Sequence, residues 1–352
     1  MKKILIILND LKNGGVERVL SVLANYFAEK GYDVHVLAIA SPNRSYPLND
    51  KVHYEYVPIM QIYHKEGLLK EFWIMKRIYQ EMKRIDPDTV IGFDDSIIIR
   101  SIPSAWLQRR KIVVSERIDP SIYGLPMRII RQIAYDMADS VVFQTEDAQK
   151  YFPKRTQKKS VIIPNPLSEN LPYRKEKTNK DILMAGRLRP QKNVGLAIRA
   201  FSRFHETHPD YRLVVYGQGE QLEELTNLAK ALGVGESVLF PGHVSDIHDR
   251  MSECAMYLST SDYEGISNSM IEAMAIGAPT ICTDCPVGGA RMFIRSGVNG
   301  ILVSVNSIRD VKNAMSQIAD DKCLSEHLSF ESIKIRSELD TNIICEKWSK
   351  LI

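Results

Sequence analysis

The sequence predicts an α/β fold of two doubly wound, parallel-sheet, Rossmann-like domains facing each other across a cleft. Short apolar runs alternate with amphipathic helical stretches in both halves of the chain. Those runs are apolar on both faces, as buried parallel strands are, so the alternation reads as repeated βαβ units. The rhythm breaks once, at the polar stretch from Glu169 to Lys180 that contains Pro172. A stretch of that composition is a linker, and 352 residues suit two domains of ordinary size.

In the first half the apolar runs are Ile4–Leu8, Val34–Ala40, Val52–Val57, Val90–Phe93, Ile112–Val114, Val141–Phe143 and Val161–Ile163. In the second they are Ile182–Ala185, Leu213–Tyr216, Val238–Phe240, Ala255–Leu258, Thr280–Cys282 and Ile301–Val303. Right-handed crossovers turn each set into an open doubly wound sheet. The domains expected are residues 1–170 and 171–340. Ligands of such sheets sit beyond the carboxyl ends of the strands, which makes the cleft between the two domains the expected site.

The composition excludes several classes. An apolar fraction of 44% and a charged fraction of 25% are those of an ordinary globular protein. The net charge of +3 is too small to point to nucleic acid. It is unevenly spread, with 25 Lys+Arg against 20 Asp+Glu in residues 1–170 and 21 against 23 in the remainder. Cys254, Cys282, Cys285, Cys323 and Cys345 make an odd count. Cys282 and Cys285 have C-x-x-C spacing without a second ligand pair, so reduced thiols of a cytoplasmic protein are the plainer reading than a zinc or redox centre. The apolar run behind Lys2-Lys3 stops after five residues and reads as a first strand rather than a leader. No run reaches the length of a membrane span.

Asn9-Asp10-Leu11-Lys12-Asn13-Gly14-Gly15 follows the first strand and opens a helix running to about Glu29. Gly14 and Gly15 would allow a tight turn and close approach of an anion to the helix start. An ordinary turn before a helix fits the same residues. Gly186-Arg187-Leu188-Arg189-Pro190-Gln191-Lys192-Asn193 follows the first strand of the second half. Arg187 and Lys192 could grip a diphosphate, the guanidinium as a fork and the ammonium as a point charge, and stabilise it as it departs. A solvated basic loop is the alternative.

The most specific stretch runs from Asp262 to Pro279, with Glu264 in a loop and Glu272 in the first turns of a helix closed by Gly277. Gly265, Ile266, Ser267 and Asn268 between them supply backbone N–H groups on which phosphate can rest. Ionised carboxylates accept bonds from the hydroxyls of a polyol. Ser269-x-x-Glu272 also has capping-box spacing, which offers Glu272 a purely structural role. Gly217 in Tyr216-Gly217-Gln218-Gly219-Glu220, Val244 in Gly242-His243-Val244-Ser245-Asp246, and the turn Asp284–Gly289 each follow a strand and could approach a ligand. Asp94-Asp95 lacks the third ligand that a metal site needs.

Taken together, these motifs resemble the family-4 retaining glycosyltransferases of the GT-B fold. The resemblance rests on Glu264-x7-Glu272, on Gly186-Arg187-Leu188-x-x-Gln191-Lys192-Asn193 and on Gly14-Gly15-x-Glu17-Arg18, in this order, and it covers nearly the whole chain. It implies that Arg187 and Lys192 hold the donor diphosphate, that Glu264 touches the donor sugar and that Glu272 binds the ribose. Gly14, Gly15, Gly186, Gly217, Val244 and the backbone of Gly265–Asn268 would complete the donor site. The last helix, about 341–352 with Trp348 and Leu351, would cross back to the first domain. Ser115-Glu116-Arg117-Ile118-Asp119-Pro120, Gln144-Thr145-Glu146 and Pro164-Asn165-Pro166 are similar to bacterial enzymes of exopolysaccharide, O-antigen or lipid-linked oligosaccharide synthesis. Glu116, Arg117 and Asp119 would lie on the acceptor side, with Arg117 near the place of the histidine that many members carry.

The implied reaction moves a hexose or N-acetylhexosamine from a nucleotide-diphosphate sugar, UDP by preference, to a glycan hydroxyl, on a lipid-linked acceptor. It needs no metal and no cofactor, proceeds by front-face displacement, and would take place in the cytoplasm or on the inner face of the membrane. Ile62–Met75, with Tyr63, Leu68, Leu69, Phe72, Trp73, Lys65 and Lys70, fits both a membrane-surface helix and an ordinary helix with its apolar side turned inward. Arg109-Arg110-Lys111, Arg128 and Arg131 add basic charge to the first of these readings. Competing functions are a sugar-nucleotide epimerase of the same fold and a non-catalytic sugar-nucleotide-binding subunit. A dinucleotide oxidoreductase fails for want of G-x-G-x-x-G after either first strand.

Overall fold

The computed structural model describes residues 1–12, 14–59, 67–93 and 95–352. They form two compact units, Met1–Pro166 with Thr341–Ile352, and Leu167–Asp340. The division falls after Pro166 because the next residues are already held by the second unit. The Leu167 N–H donates to the Leu339 carbonyl at 3.1 Å, and the Ser168 hydroxyl donates to Glu272 at 2.6 Å.

In the first unit the elements are β1 (Lys3–Leu8), α1 (Gly15–Glu29), β2 (Asp33–Ala38), β3 (Val52–Tyr56), α2 (Gly67–Ile85), β4 (Thr89–Gly92), α3 (Asp95–Leu107), β5 (Lys111–Ser115), α4 (Leu125–Met137), β6 (Ser140–Phe143), α5 (Glu146–Tyr151), α6 (Lys154–Gln157) and β7 (Ser160–Ile162). The second unit holds β8 (Asp181–Ala185), α7 (Val194–His205), β9 (Arg212–Tyr216), α8 (Leu222–Ala231), β10 (Val238–Gly242), α9 (Ile247–Glu253), β11 (Met256–Ser259), α10 (Asn268–Ile276), β12 (Thr280–Thr283), β13 (Ile301–Val303), α11 (Ile308–Asp320), α12 (Lys322–Ser332) and α13 (Ile335–Glu338). The closing helix α14 (Thr341–Ser349) belongs to the first unit.

Each predicted apolar run contains a strand, with its ends shifted by at most two residues. All pairings are parallel, in the orders β3-β2-β1-β4-β5-β6-β7 and β10-β9-β8-β11-β12-β13. The order reverses at β1/β4 in one sheet and at β8/β11 in the other, and crevices for ligands open at such reversals. Ile4–Leu8 and Val90–Gly92 are wholly buried, as central parallel strands are. In the second unit Phe201 and Phe204 of α7, Leu213 and Val215 of β9, and Ala314 and Met315 of α11 belong to one buried core cluster.

Trp348 of α14 is fully buried and stacks on Phe93 with ring centroids 5.1 Å apart. Ile344, Cys345 and Ile352 are buried with it, whereas Leu351 is only partly covered. The anchoring positions are therefore Ile344 and Trp348, one helical turn apart on one face, and Lys2 closes the end by donating to the Ile352 carbonyl at 3.1 Å.

Candidate functional site

The carboxyl ends of β8 and β11 release two loops that are tied to each other. The loop after β8 carries Gly186–Asn193 and the loop after β11 carries Thr260–Ser267. Asn193 adopts φ 43°, caps α7 through its side chain on the Leu196 N–H, and donates to Asp262 at 2.7 Å. Gln191 donates to the Tyr263 carbonyl at 2.9 Å, and Thr260 donates to the Asn193 carbonyl at 2.9 Å. These bonds bring Lys192 to Glu264, and their side chains form an ion pair. Ser261 also donates to the Glu264 carboxylate, at 3.2 Å.

Glu264 is pinned through its backbone as well. Its N–H donates to the Pro286 carbonyl at 2.6 Å, and its carbonyl accepts from the Val287 N–H at 3.0 Å. The turn after β12 therefore props the Glu264 loop. A Cβ on Gly289 would stand 1.8 Å from the Gly265 carbonyl oxygen, so only glycine lets the two loops meet.

α10 begins at Asn268 with Ser267 as its N-cap, which turns the first N–H groups of the helix toward this end of the sheet. Glu272 lies five residues past that cap, beyond the reach of a capping box, and the Ser267 side chain makes no capping bond. Glu272 is buried and accepts from Ser168 at 2.6 Å, and His248 Nε2 of α9 lies 3.2 Å from its other oxygen. Sequence reasoning missed both partners. A serine in a linker and a histidine on a short helix carry no signal until the sheet order sets them beside α10.

Tyr257 and Ser269 tie the first turn of α10 to β11 and to the end of β8. The Tyr257 hydroxyl donates to Ser269 at 2.7 Å, and Ser269 donates to the Ala185 carbonyl just before Gly186 at 3.1 Å. Gly217, after β9, has φ 139°, and a Cβ there would stand 1.8 Å from the Gly186 carbonyl oxygen. Its N–H donates to the Gly242 carbonyl at 2.9 Å, which ties in the loop that continues to the half-covered Val244. Arg187 is exposed on the Gly186 loop. The predicted donor residues of the second half thus lie at the carboxyl ends of β8, β9, β10 and β11, and the Gly186 and Glu264 loops meet at the reversal of the sheet.

The first unit places its predicted residues differently. Gly14 caps α1 with φ −165°, an extended conformation open to any residue, so glycine is not needed there for a tight turn. Asn13 and Asp94 lie outside the described residues, as do 60–66 of the expected membrane stretch. Glu116, Arg117 and Asp119 are each engaged within the unit. Glu116 accepts from the N–H groups of Arg117 and Ile118 at 3.1 and 3.3 Å, from the Tyr135 hydroxyl at 3.0 Å, and from Arg131. Arg117 donates to Asn165 at 2.6 Å and lies over the Phe93 ring at 4.3 Å. Asp119 accepts from the Ser121 N–H at 2.8 Å at the start of a short turn.

Arg131 is not the surface charge that its sequence context suggests. It is 1% exposed and bonds Asp95 at 3.0 Å besides Glu116. Two carboxylates sharing one guanidinium leave an excess of negative charge in a dry place. Burial first, and Asp95 next, push the Glu116 carboxyl up to about 7.

Asp33, His35 and His53 have ligand atoms within 4.8 Å of one another, at the amino ends of β2 and β3, away from Gly14 at the carboxyl end of β1. Cys282 and Cys285 are free buried thiols.

Residues 13–170 match the family described as Glycosyltransferase Family 4, and residues 170–334 match Glycosyl transferases group 1. The chain is 27% identical, over all of both chains, to an uncharacterized glycosyltransferase of Haemophilus influenzae. It is 26% identical to the N-acetylgalactosamine-N,N'-diacetylbacillosaminyl-diphospho-undecaprenol 4-alpha-N-acetylgalactosaminyltransferase of Campylobacter jejuni, over 95% of this chain and 97% of that protein. The crystal structure of Anabaena Alr3699/HepE in complex with UDP and glucose superposes with a TM-score of 0.84 at 18% identity, over 99% of both chains. With both halves matched and a GT-B fold of two parallel sheets, the chain belongs to the family-4 glycosyltransferases.

Proposed function

We propose that this glycosyltransferase moves a hexose or N-acetylhexosamine from a UDP-sugar to a hydroxyl of a lipid-linked glycan in the synthesis of a bacterial surface polysaccharide or oligosaccharide. In this reading it acts at the cytoplasmic face of the membrane, with retention at the anomeric carbon and without a metal ion. The observation that carries the proposal is the ion pair of Lys192 with Glu264 at the reversal point of the second sheet. UDP in the Anabaena structure supports the donor, and the diphospho-undecaprenol substrate of the Campylobacter relative supports the acceptor.

Lys192 and Arg187 take the diphosphate, and the first turn of α10 offers it backbone N–H groups. Glu264 holds the Lys192 ammonium in place and accepts from a sugar hydroxyl. Glu272, oriented by Ser168 and His248, accepts from the ribose. The bond from the anomeric carbon to the diphosphate oxygen breaks while the acceptor oxygen adds on the same face. The acceptor proton passes to the leaving phosphate. No protein carboxylate attacks the sugar, unlike retaining glycosidases. The two cations stabilise the charge that builds on the leaving group, a role that a metal fills elsewhere.

The test is UDP release across a panel of UDP-sugars, with and without lipid-linked acceptor and with EDTA, and the anomeric configuration of the product read by NMR. Consumption of the donor without acceptor, giving an epimerised sugar, would replace transfer by epimerisation. An inverted product or loss of activity in EDTA would remove retention or metal independence.

A further inference from the structure

α4 is amphipathic in the inverted sense. Its polar face, Arg131 and Tyr135 one turn apart, points into the protein and meets Asp95 and Glu116. Its apolar face points out: Leu125, Ile129 and Ile133 are 68%, 52% and 57% exposed, and Ile122, Ile130 and Met137 are exposed with them. Single exposed apolar residues need no explanation, but a contiguous helical stripe does. The buried ion pairs set the rotation of the helix, because turning the isoleucines inward would leave Glu116 and Asp95 without their guanidinium.

The surroundings of the stripe are basic. Arg128 is exposed on α4 itself. α6 is tied to α4 by the bond from Gln132 to Thr156 at 2.9 Å, and Lys154, Arg155 and Lys158 on and after it are exposed. Pro120–Tyr135 and Pro153–Ser160 contain no acidic residue. The 13 residues of α4 span about 20 Å, short of the hydrocarbon thickness of roughly 30 Å, so the helix lies along an interface and does not cross one. Among the described residues no helix is long and apolar enough to cross a membrane.

We propose that the outward face of α4 rests in the surface of a bilayer carrying anionic headgroups, with Arg128, Lys154 and Lys158 against the phosphates and Leu125, Ile129, Ile130 and Ile133 among the upper acyl chains. α4 starts just beyond the carboxyl end of β5, the end of the first sheet that also carries Gly14. That places the lipid surface where a lipid-linked acceptor would arrive. The inference rests on the proposed acceptor only for this last point.

The experiment is co-sedimentation of the full chain with phosphatidylcholine vesicles, with and without phosphatidylglycerol. Hydrogen exchange of 125–137 is followed in the same samples. Wild type is expected to bind the anionic vesicles and to gain exchange protection in α4. Ile129→Ser/Ile133→Ser should weaken binding by about tenfold or more, and Lys154→Glu/Lys158→Glu should weaken binding to the anionic vesicles alone. Melting curves and UDP release with a water-soluble acceptor should be unchanged in both variants. Wild type that stays in solution, α4 variants that bind as wild type does, or protection elsewhere would overturn the proposal. So would a wild-type dimer in light scattering that the isoleucine variant splits, since the stripe would then cover a second copy. Vesicle binding without any transferase activity would leave this inference standing and remove the functional one.

Discussion

Lys192 and Glu264 are ion-paired across 72 residues of chain, with side chains 21% and 22% exposed. A half-covered pair of this kind contributes little to stability but fixes where a cation stands. Lys192→Ala is expected to lower kcat about 10²–10³-fold, the range for one preorganised electrostatic contact to a transition state. Arg187→Ala should lower kcat and weaken donor binding together. Glu264→Gln leaves the ammonium unguided, so Lys192→Ala added to it should cost less than the sum of the two alone. UDP-release kinetics of the four variants check this, and unchanged turnover in Lys192→Ala would remove the diphosphate role.

Glu272 meets Ser168 and His248 rather than the start of its own helix. Binding of a ribose is made equally in the ground and transition states, so its loss appears in KM. Glu272→Ala should raise the donor KM about tenfold or more, as for loss of a charged hydrogen-bond acceptor, with kcat changed far less. His248→Ala should raise KM by a smaller factor. A kcat effect as large as that of Lys192→Ala would mean that Glu272 acts on the reacting atoms.

Cys282 and Cys285 share C-x-x-C spacing, yet burial pushes their thiols up to about 12 and about 11. The thiolate is the species that reacts or binds metal, so both should be inert in the folded protein. Of the five cysteines only Cys323 is exposed. Titration with a chromogenic disulfide at pH 8 should give one fast thiol in the native state and the others only after unfolding. Rapid loss of the Cys282–Cys285 pair would revive a redox reading.

The strands were legible because a parallel strand buried on both faces leaves an unbroken apolar run, and Ile4–Leu8 or Ile182–Ala185 can hardly be anything else. The Gly186–Asn193 and Glu264–Glu272 stretches could be singled out because each sets glycine and charged residues just after an apolar run, and the structure places both loops at the reversal of the sheet. Long-range partners were not legible. Nothing near Glu272 in sequence announces Ser168 or His248. The outward turn of Ile129 and Ile133 was not legible either, because it depends on Asp95 and Glu116, which lie elsewhere in the chain. Gly14 looked like a turn residue and sits extended.

The Asp95–Arg131–Glu116 cluster makes a pair of stability predictions. Arg131→Met leaves the buried Glu116 and the partly covered Asp95 without their cation and should destabilise the first unit by about 3–5 kcal/mol. The Glu116 carboxyl is raised from 4.5 to about 7 in the folded state by burial and by Asp95. The folded protein then holds a proton that the unfolded chain releases between those two values, so stability falls as pH rises through that window. Thermal midpoints from pH 5 to 8 should therefore decline in wild type relative to Glu116→Gln, which cannot titrate. A wild-type curve that runs parallel to the variant's across this range would show that Arg131 keeps Glu116 ionised throughout.

Two glycines let neighbouring turns pack against the Gly186 and Gly265 loops, and their replacement tests how far the proposed donor site depends on that packing. A Cβ on Gly217 would stand 1.8 Å from the Gly186 carbonyl oxygen, and one on Gly289 as close to that of Gly265. Neither obstacle is a side-chain end that can swing away, so the loops carrying Arg187 and Glu264 must shift. Gly217→Ala and Gly289→Ala should each lower kcat/KM by about 10²-fold, the scale on which an ångström of misplacement acts. Gly195, inside α7, meets only a Leu228 methyl at 3.6 Å. Gly195→Ala should keep full activity and gain about 0.5–1 kcal/mol of stability from helix propensity. Equal activity in all three alanine variants would show that the loops have slack and that donor binding does not depend on their close approach.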